Sequence, residues 1–248
     1  MFRCIESYRR WSTKTIVTIM TELVRGAEKM LITIEGIDGS GKNTLAEALR
    51  AALSERHVVE MVSSPGYQRT ETGRLIGRYL AGEYRLGNES PYALSLLFAL
   101  DRQEGQPQLR QWLSQGRIVI ADRYAASNVA YQAARASSVA ESVAVREFVL
   151  DLEFEKLGTI VPSVNIWLDI PVSVSRELIA NKGKRDYVQS TYDKFEADRA
   201  LMERVSTQYR ELCAGNAYGD WLHVETCDDR GLRQPGVILA EVLDRLAL

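Results

Sequence analysis

Seven consecutive residues, Gly36-Ile37-Asp38-Gly39-Ser40-Gly41-Lys42, have the spacing of a polyphosphate cradle, G-x-x-x-x-G-K. Glycines let the backbone curl so that successive N–H groups face phosphate oxygens. A helix beginning there adds partial positive charge, and the Lys42 ammonium neutralises the outer phosphates. The next residue is Asn43, where the pattern normally carries a hydroxyl, and Thr44 follows it. Either Thr44 supplies a hydroxyl to a metal ion, or the metal is held by phosphates, water and carboxylates. Asp38 inside the loop and Asp122 at the end of an apolar run are the carboxylate candidates.

Three further groups of residues suit a second, flat and anionic ligand. Phe98 and Arg102 are four apart in a long helical pattern, so a ring and a guanidinium share one face. The ring can stack on a heterocycle while the guanidinium bonds an exocyclic oxygen. Asp122-Arg-Tyr-Ala-Ala-Ser-Asn-Val-Ala-Tyr131 follows a strand and turns into a helix. Arg123 then stands at the carboxyl end of a parallel strand, the usual ligand crevice of an open sheet, where it can grip a phosphate. Asn128 and Tyr131 share a helix face. The amide can pair with a ring N–H and carbonyl, and the phenol can fill the space beneath a sugar and exclude a 2′-hydroxyl. Ser64-Pro-Gly-Tyr67 is a turn ending in a phenol suited to a phosphate. Each group also has a plain structural reading: core Phe98 beside a surface Arg–Asp pair, a strand-end cap at Asp122, a buried aromatic at Tyr131, a turn tyrosine at Tyr67. Only their combination selects the ligand.

The elements that must hold these residues alternate in type. Strand-like runs at Leu31–Glu35, His57–Ser63, Arg117–Ala121, Val164–Ile170 and Trp221–Glu225 are short and rich in Val and Ile, as buried parallel strands are. Helical patterns lie between and after them at Thr44–Ser54, Ser90–Gln115, Ser138–Leu157, Tyr192–Ala214 and Gly236–Leu246. Ser90 and Pro91 make a helix start, the serine capping and the proline in the first turn. The alternation implies an α/β fold, a parallel sheet with helices on both faces. With no repeat and no Pro- or Ser-rich linker, residues 30–248 read as one domain. The basic stretch around Lys182, Lys184 and Arg185 reads as a mobile loop between helices, a lid near 181–191 whose plain alternative is a solvated charge run. Residues 1–29 read as a poorly ordered extension of no assigned function, with Met30 as a possible start of translation.

Composition excludes several classes. The 248 residues carry 31 Lys+Arg against 33 Asp+Glu, a formal charge of −2, which argues against a general nucleic-acid coat protein. No apolar run is long enough to span a bilayer. Three scattered cysteines and two distant histidines, His57 and His223, support neither a disulfide framework nor a His-based metal site. A reducing cytoplasm fits best.

Ile34-Glu-Gly-Ile-Asp-Gly-Ser-Gly-Lys42, Leu97-Phe-Ala-Leu-Asp-Arg102 and Asp122-Arg-Tyr-Ala-Ala-Ser-Asn-Val-Ala-Tyr131 together resemble the thymidylate kinase family, in its actinobacterial form, from about Met30 to the C-terminus. The last two segments separate this family from adenylate and guanylate kinases. The resemblance implies a P-loop kinase with a five-stranded parallel sheet, acting as a homodimer. It implies transfer of the ATP γ-phosphoryl group to dTMP with Mg²⁺, giving dTDP and ADP for dTTP synthesis. Gly36 through Thr44, with Lys182, Lys184 and Arg185, would bind ATP. Phe98 would stack on thymine, Arg102 would reach its O4 and Asn128 its N3 region. Tyr67 and Arg123 would bind the acceptor phosphate, and Tyr131 would favour deoxyribose. Asp38 would hold the 3′-hydroxyl and, with Asp122 and Glu196, organise metal. Lys42, Arg123 and Asp38 would be the catalytic residues.

Some positions depart from the mycobacterial relatives. Asp193-Lys-Phe-Glu196 has Phe195 where those relatives carry tyrosine near the sugar. Ser64 and Gly66 replace Phe and Arg, which shifts phosphate neutralisation onto Arg123, Lys42 and the lid, with Arg69 a possible substitute. A kinase for dUMP or another monophosphate, and a catalytically silent nucleotide-binding or switch protein, are the rival readings.

Overall fold

The computed structural model describes residues 30–84, 90–181 and 198–247. The extension 1–29, Lys182, Lys184, Arg185, Phe195 and Glu196 lie outside the described residues. Five strands form a parallel sheet: β1 (Met30–Glu35), β2 (Val59–Ser63), β3 (Ile118–Asp122), β4 (Val164–Asp169) and β5 (Asp220–Glu225), in the order β2-β3-β1-β4-β5. Parallel neighbours need long crossovers, and helices provide them: α1 (Lys42–Leu53), α2 (Glu71–Leu80), α3 (Pro91–Ser114), α4 (Ala125–Ala133), α5 (Val139–Leu150), α6 (Val172–Asn181) and α7 (Arg199–Ala214), with α8 (Pro235–Leu246) following β5.

Alternation along the strands divides the core into two layers. Ile32 and Ile34 of β1, with Ile118 and Ile120 of β3, pack on Leu45 and Leu49 of α1 and on Ile238 and Val242 of α8. On the opposite face Leu31, Val119 and Ala121 meet Leu109 and Leu113 of α3. A further cluster joins residues of α2, α3, α4, α5 and α7, including Ile76, Leu94, Val129, Val145 and Val205. Helices therefore cover both faces, as the alternating sequence implies.

The burial that Val- and Ile-rich strands suggest is incomplete at the sheet edges. No residue of β2 is fully buried, and only Leu222 and Val224 of β5 are. Each edge strand has a single neighbour, so it needs apolar character on fewer sides. Ser90 stands at the N-cap of α3 but makes no side-chain cap bond; Pro91 is in the first turn as expected. The helical pattern expected over 138–157 is α5 followed by a π-helical turn, Asp151–Lys156. Sequence periodicity did not single out α2 or α6, nor the short hairpin of β6 (Cys227–Asp228) and β7 (Gly231–Leu232) after β5.

Candidate active site

Register places the carboxyl ends of three strands at one level. Ser63 of β2 is paired with Asp122 of β3, and Asp122 with Ile34 of β1. The segments that leave these strands, 64–67, 123–124 and 36–41, open into a cavity of about 310 Å³, the low end of the range for ligand pockets.

On the donor side the loop after β1 needs its glycines. Gly36 (φ +143°) has Leu168 O only 2.7 Å from where a Cβ would sit, and at Gly39 (φ +77°) the corresponding contact is Ser175 O at 2.6 Å. Gly41 is the left-handed N-cap of α1 and has no side chain to cap the first turn, so that turn directs its N–H groups toward the loop. Lys42 is buried, and its Nζ donates to Ile37 O at 2.7 Å. Burial, reinforced by the Arg123 charge, lowers its pKa to about 8, against the opposing pull of Asp38, Asp122 and Glu35.

Arg123 is held by a dense set of bonds. Its backbone has φ +67°, uncommon for a residue with a Cβ, and its N–H donates to Ile34 O at 3.0 Å. Nη1 donates to Gly36 O (3.2 Å) and Ser127 Oγ (3.1 Å). Nη2 donates to Asp38 Oδ1 (2.7 Å) and Tyr131 OH (3.2 Å), while Tyr131 donates to Asp38 Oδ2 (2.7 Å). Behind this group lies Glu35, fully buried, which accepts from Tyr124 N (2.8 Å), Ser127 Oγ (2.6 Å) and Tyr209 OH (3.1 Å). Burial raises its pKa although these donors and Arg123 oppose the rise.

On the other side of the cavity α3 and α4 present Phe98, Arg102, Asn128 and Tyr131. Arg102 is buried; Nε donates to Glu153 Oε2 (3.1 Å), Nη2 to Glu153 Oε1, and Nη1 to Ser64 Oγ (2.8 Å). Ser64, one of the departures from the mycobacterial relatives, thus bonds the guanidinium. The turn carrying Tyr67 is fixed by Asp101, whose Oδ2 accepts from Gly66 N at 3.1 Å and whose Oδ1 accepts from Thr70 Oγ1. A Cβ on Gly66 would lie 3.0 Å from Thr70 Oγ1 and 3.3 Å from Asp101 Oδ1, so a glycine fits this turn best. Arg69 is exposed and does not border the cavity.

Of the sequence-derived candidates, Asp38, Gly39, Gly41, Lys42, Asn43, Tyr67, Phe98, Arg102, Asp122, Arg123, Asn128 and Tyr131 line this one cavity. Gly36, Ile37, Ser40 and Thr44 do not. Sequence reasoning missed Glu35, Asp101 and Glu153 behind the walls, and Tyr124, Ser127 and Gln132 in them. Two of these had a visible signal. Glu35 is a carboxylate ending an apolar strand, and Glu153 continues the buried Val145–Val149 seam at four-residue spacing.

A glycine loop opening a helix after the central strand of a parallel sheet, facing an arginine and a cavity walled by aromatic and amide side chains, is the architecture of a P-loop kinase. The family model for thymidylate kinase matches residues 34–220, and the chain belongs to that family. It is 36% identical over 204 residues to the thymidylate kinase of Mycobacterium tuberculosis, covering 82% of this chain and 94% of that one. It is 32% identical over 188 residues to the thymidylate kinase of Clavibacter sepedonicus, covering 75% and 82%. Among solved structures, the thymidylate kinase of Candida albicans superposes with a TM-score of 0.67 at 23% identity, over 88% of this chain and 91% of that one, a likeness of fold.

Proposed function

We infer that the cavity seats dTMP with its phosphate toward the glycine loop, and that the chain transfers the ATP γ-phosphoryl group to it, giving dTDP and ADP. The observation that carries this reading is the convergence of Phe98, Arg102, Asn128 and Tyr131 on the same cavity as Lys42 and Arg123. Phe98 stacks on the base, Arg102 and Asn128 bond its edge, and Tyr131 lies beneath the sugar. Tyr67 and Arg123 bind the acceptor phosphate, while Lys42 and the loop amides hold the donor phosphates. Lys182, Lys184 and Arg185 are assigned to the donor side on charge alone, as a lid, and Phe195 to the sugar by its place in the motif.

The physical problem is to align two polyanions in line. Catalysis therefore needs positioning and charge neutralisation more than covalent chemistry. Lys42 and Arg123, whose side chains are largely buried in the cavity wall, supply that charge. Asp38 holds the Arg123 fork through Oδ1 and orients Tyr131 through Oδ2. No general base is required, because the acceptor phosphate is already an anion.

Mg²⁺ fits this donor set. It is commonly held by one or two carboxylates together with substrate phosphates. Asp122 and Asn43 line the cavity, whereas Thr44 does not, and Asp38 is engaged by Arg123 and Tyr131. Asp122 would therefore hold the ion, with Glu196 assigned by resemblance; when bound, the ion neutralises phosphate charge.

We also assign the chain to a cytoplasmic homodimer. Leu96 and Leu100 of α3 and Val139, Val143 and Phe148 of α5 are exposed on helices that pack together, an apolar surface suited to a second copy. No helix among the described residues is long and apolar enough to cross a membrane. Light scattering reads the dimer directly; a monomer at micromolar concentration removes it.

A steady-state assay with ATP and a panel of monophosphates tests the main reading. dTMP is expected to be preferred, with dUMP weaker by the 10–200-fold that a methyl group confers. Calorimetry that finds ATP binding without dTMP binding or turnover defeats the reading.

A further inference from the structure

Glu153 lies behind the base-binding wall with a fully buried side chain, in the π-helical turn that continues α5. Such turns often mark functional sites. Three of the four hydrogen bonds to its carboxylate come from side chains of that wall, and the fourth comes from Thr159 behind it. Oε1 accepts from Arg102 Nη2 and from Asn128 Nδ2 (2.8 Å); Oε2 accepts from Arg102 Nε (3.1 Å) and Thr159 Oγ1 (3.1 Å).

The consequence falls on Asn128. Its Nδ2 has two protons, and both have acceptors: Glu153 Oε1 and Ser95 O (3.0 Å). The flipped amide would set Oδ1 against two acceptors, so the surroundings fix which atom lies where. Oδ1 is then buried with no partner among the described residues, in a side chain that lines the cavity. A buried acceptor left unpaired is costly unless a ligand donor meets it.

We propose that Glu153 is a positioning residue that sets nucleobase choice, by locking Asn128 with its carbonyl oxygen as acceptor and Arg102 as donor. Resting on the dTMP reading above, this assigns the pair a base edge carrying an exocyclic carbonyl beside a ring N–H. Thymine and uracil have that edge. Cytosine has an amino group beside a bare ring nitrogen, so it meets donor with donor and acceptor with acceptor. Replacing Glu153 by glutamine puts an NH₂ group among the same donors. Whichever way that amide turns it opposes an N–H of Arg102, and turned toward Asn128 it favours the reversed Asn128 amide.

The test is kcat/KM for dTMP and for dCMP, with ATP, in wild type and Glu153→Gln, with melting curves for both. Wild type must first turn over dTMP; failure there defeats the dTMP reading and not this proposal alone. In an active enzyme the dTMP/dCMP ratio is expected to fall at least fivefold in Glu153→Gln. A smaller fall, with both substrates impaired in parallel, is what a merely structural glutamate gives, and it overturns the proposal. Should the variant not fold, wild type labelled with ¹⁵N-asparagine decides, with Asn128→Ser assigning the signal. The Asn128 Nδ2 protons are expected to exchange slowly with solvent before dTMP is added, and exchange as fast as that of an exposed asparagine overturns the proposal.

Discussion

Lys42 carries a stability cost whose size follows from its surroundings. Burial and the Arg123 charge hold its pKa at about 8 instead of 10.5, a cost to the charged form in the folded protein of about 3 kcal/mol. Below pH 8 both folded and unfolded chains carry the proton, and the whole cost is present. Between pH 8 and 10.5 the unfolded chain binds more protons than the folded one, so raising pH through that window stabilises the fold. From pH 7 to pH 9 the Lys42 contribution improves by about 1 kcal/mol, or about 2–4 °C in Tm for a domain of this size. Urea unfolding of ligand-free wild type and Lys42→Met at pH 7, 8 and 9 isolates the effect, because the other titrating groups are common to both. The gap between the proteins is expected to move by about 1 kcal/mol in favour of wild type as pH rises. Polyphosphate binding, which restores the charged form, is expected to take up a proton near pH 8.5, read by calorimetry in buffers of different ionisation enthalpy. Parallel pH profiles for the two proteins would refute the reasoning.

Other outcomes follow from the same geometry. Arg123→Ala is expected to lower turnover at least 10²-fold, as loss of a transition-state charge contact does; near-normal turnover of the folded variant contradicts the role given to Arg123. Asp101→Ala strips the acceptor from Gly66 N and Thr70 Oγ1 and should destabilise the protein by about 1–3 kcal/mol in denaturant unfolding, with an unchanged midpoint counting against the turn-anchoring role. Asn43→Thr supplies a hydroxyl at the cavity edge and should reduce the Mg²⁺ concentration giving half-maximal rate; an unchanged or raised requirement argues that Asn43 does not bear on the metal.

The sequence by itself determined the α/β alternation, the glycine loop and most of the cavity wall. These signals are local: strand and helix periods, glycine spacing and residues four apart on one helix are written along a single segment. It could not determine what Glu35, Asp101 and Glu153 do. Apart from Thr159 on Glu153, their partners lie 25 to 174 positions away, and no local pattern specifies such pairings. It also gave Arg123 and Asp38 separate tasks, one for phosphate and one for the sugar and metal. Only the meeting of the β1 and β3 ends, fixed by the Ile34–Asp122 register, made them partners at 2.7 Å. Residue types thus announced the chemistry, while the orientation of a buried amide and the pairing of charges were decided by packing, where a carboxylate out of water must find its donors.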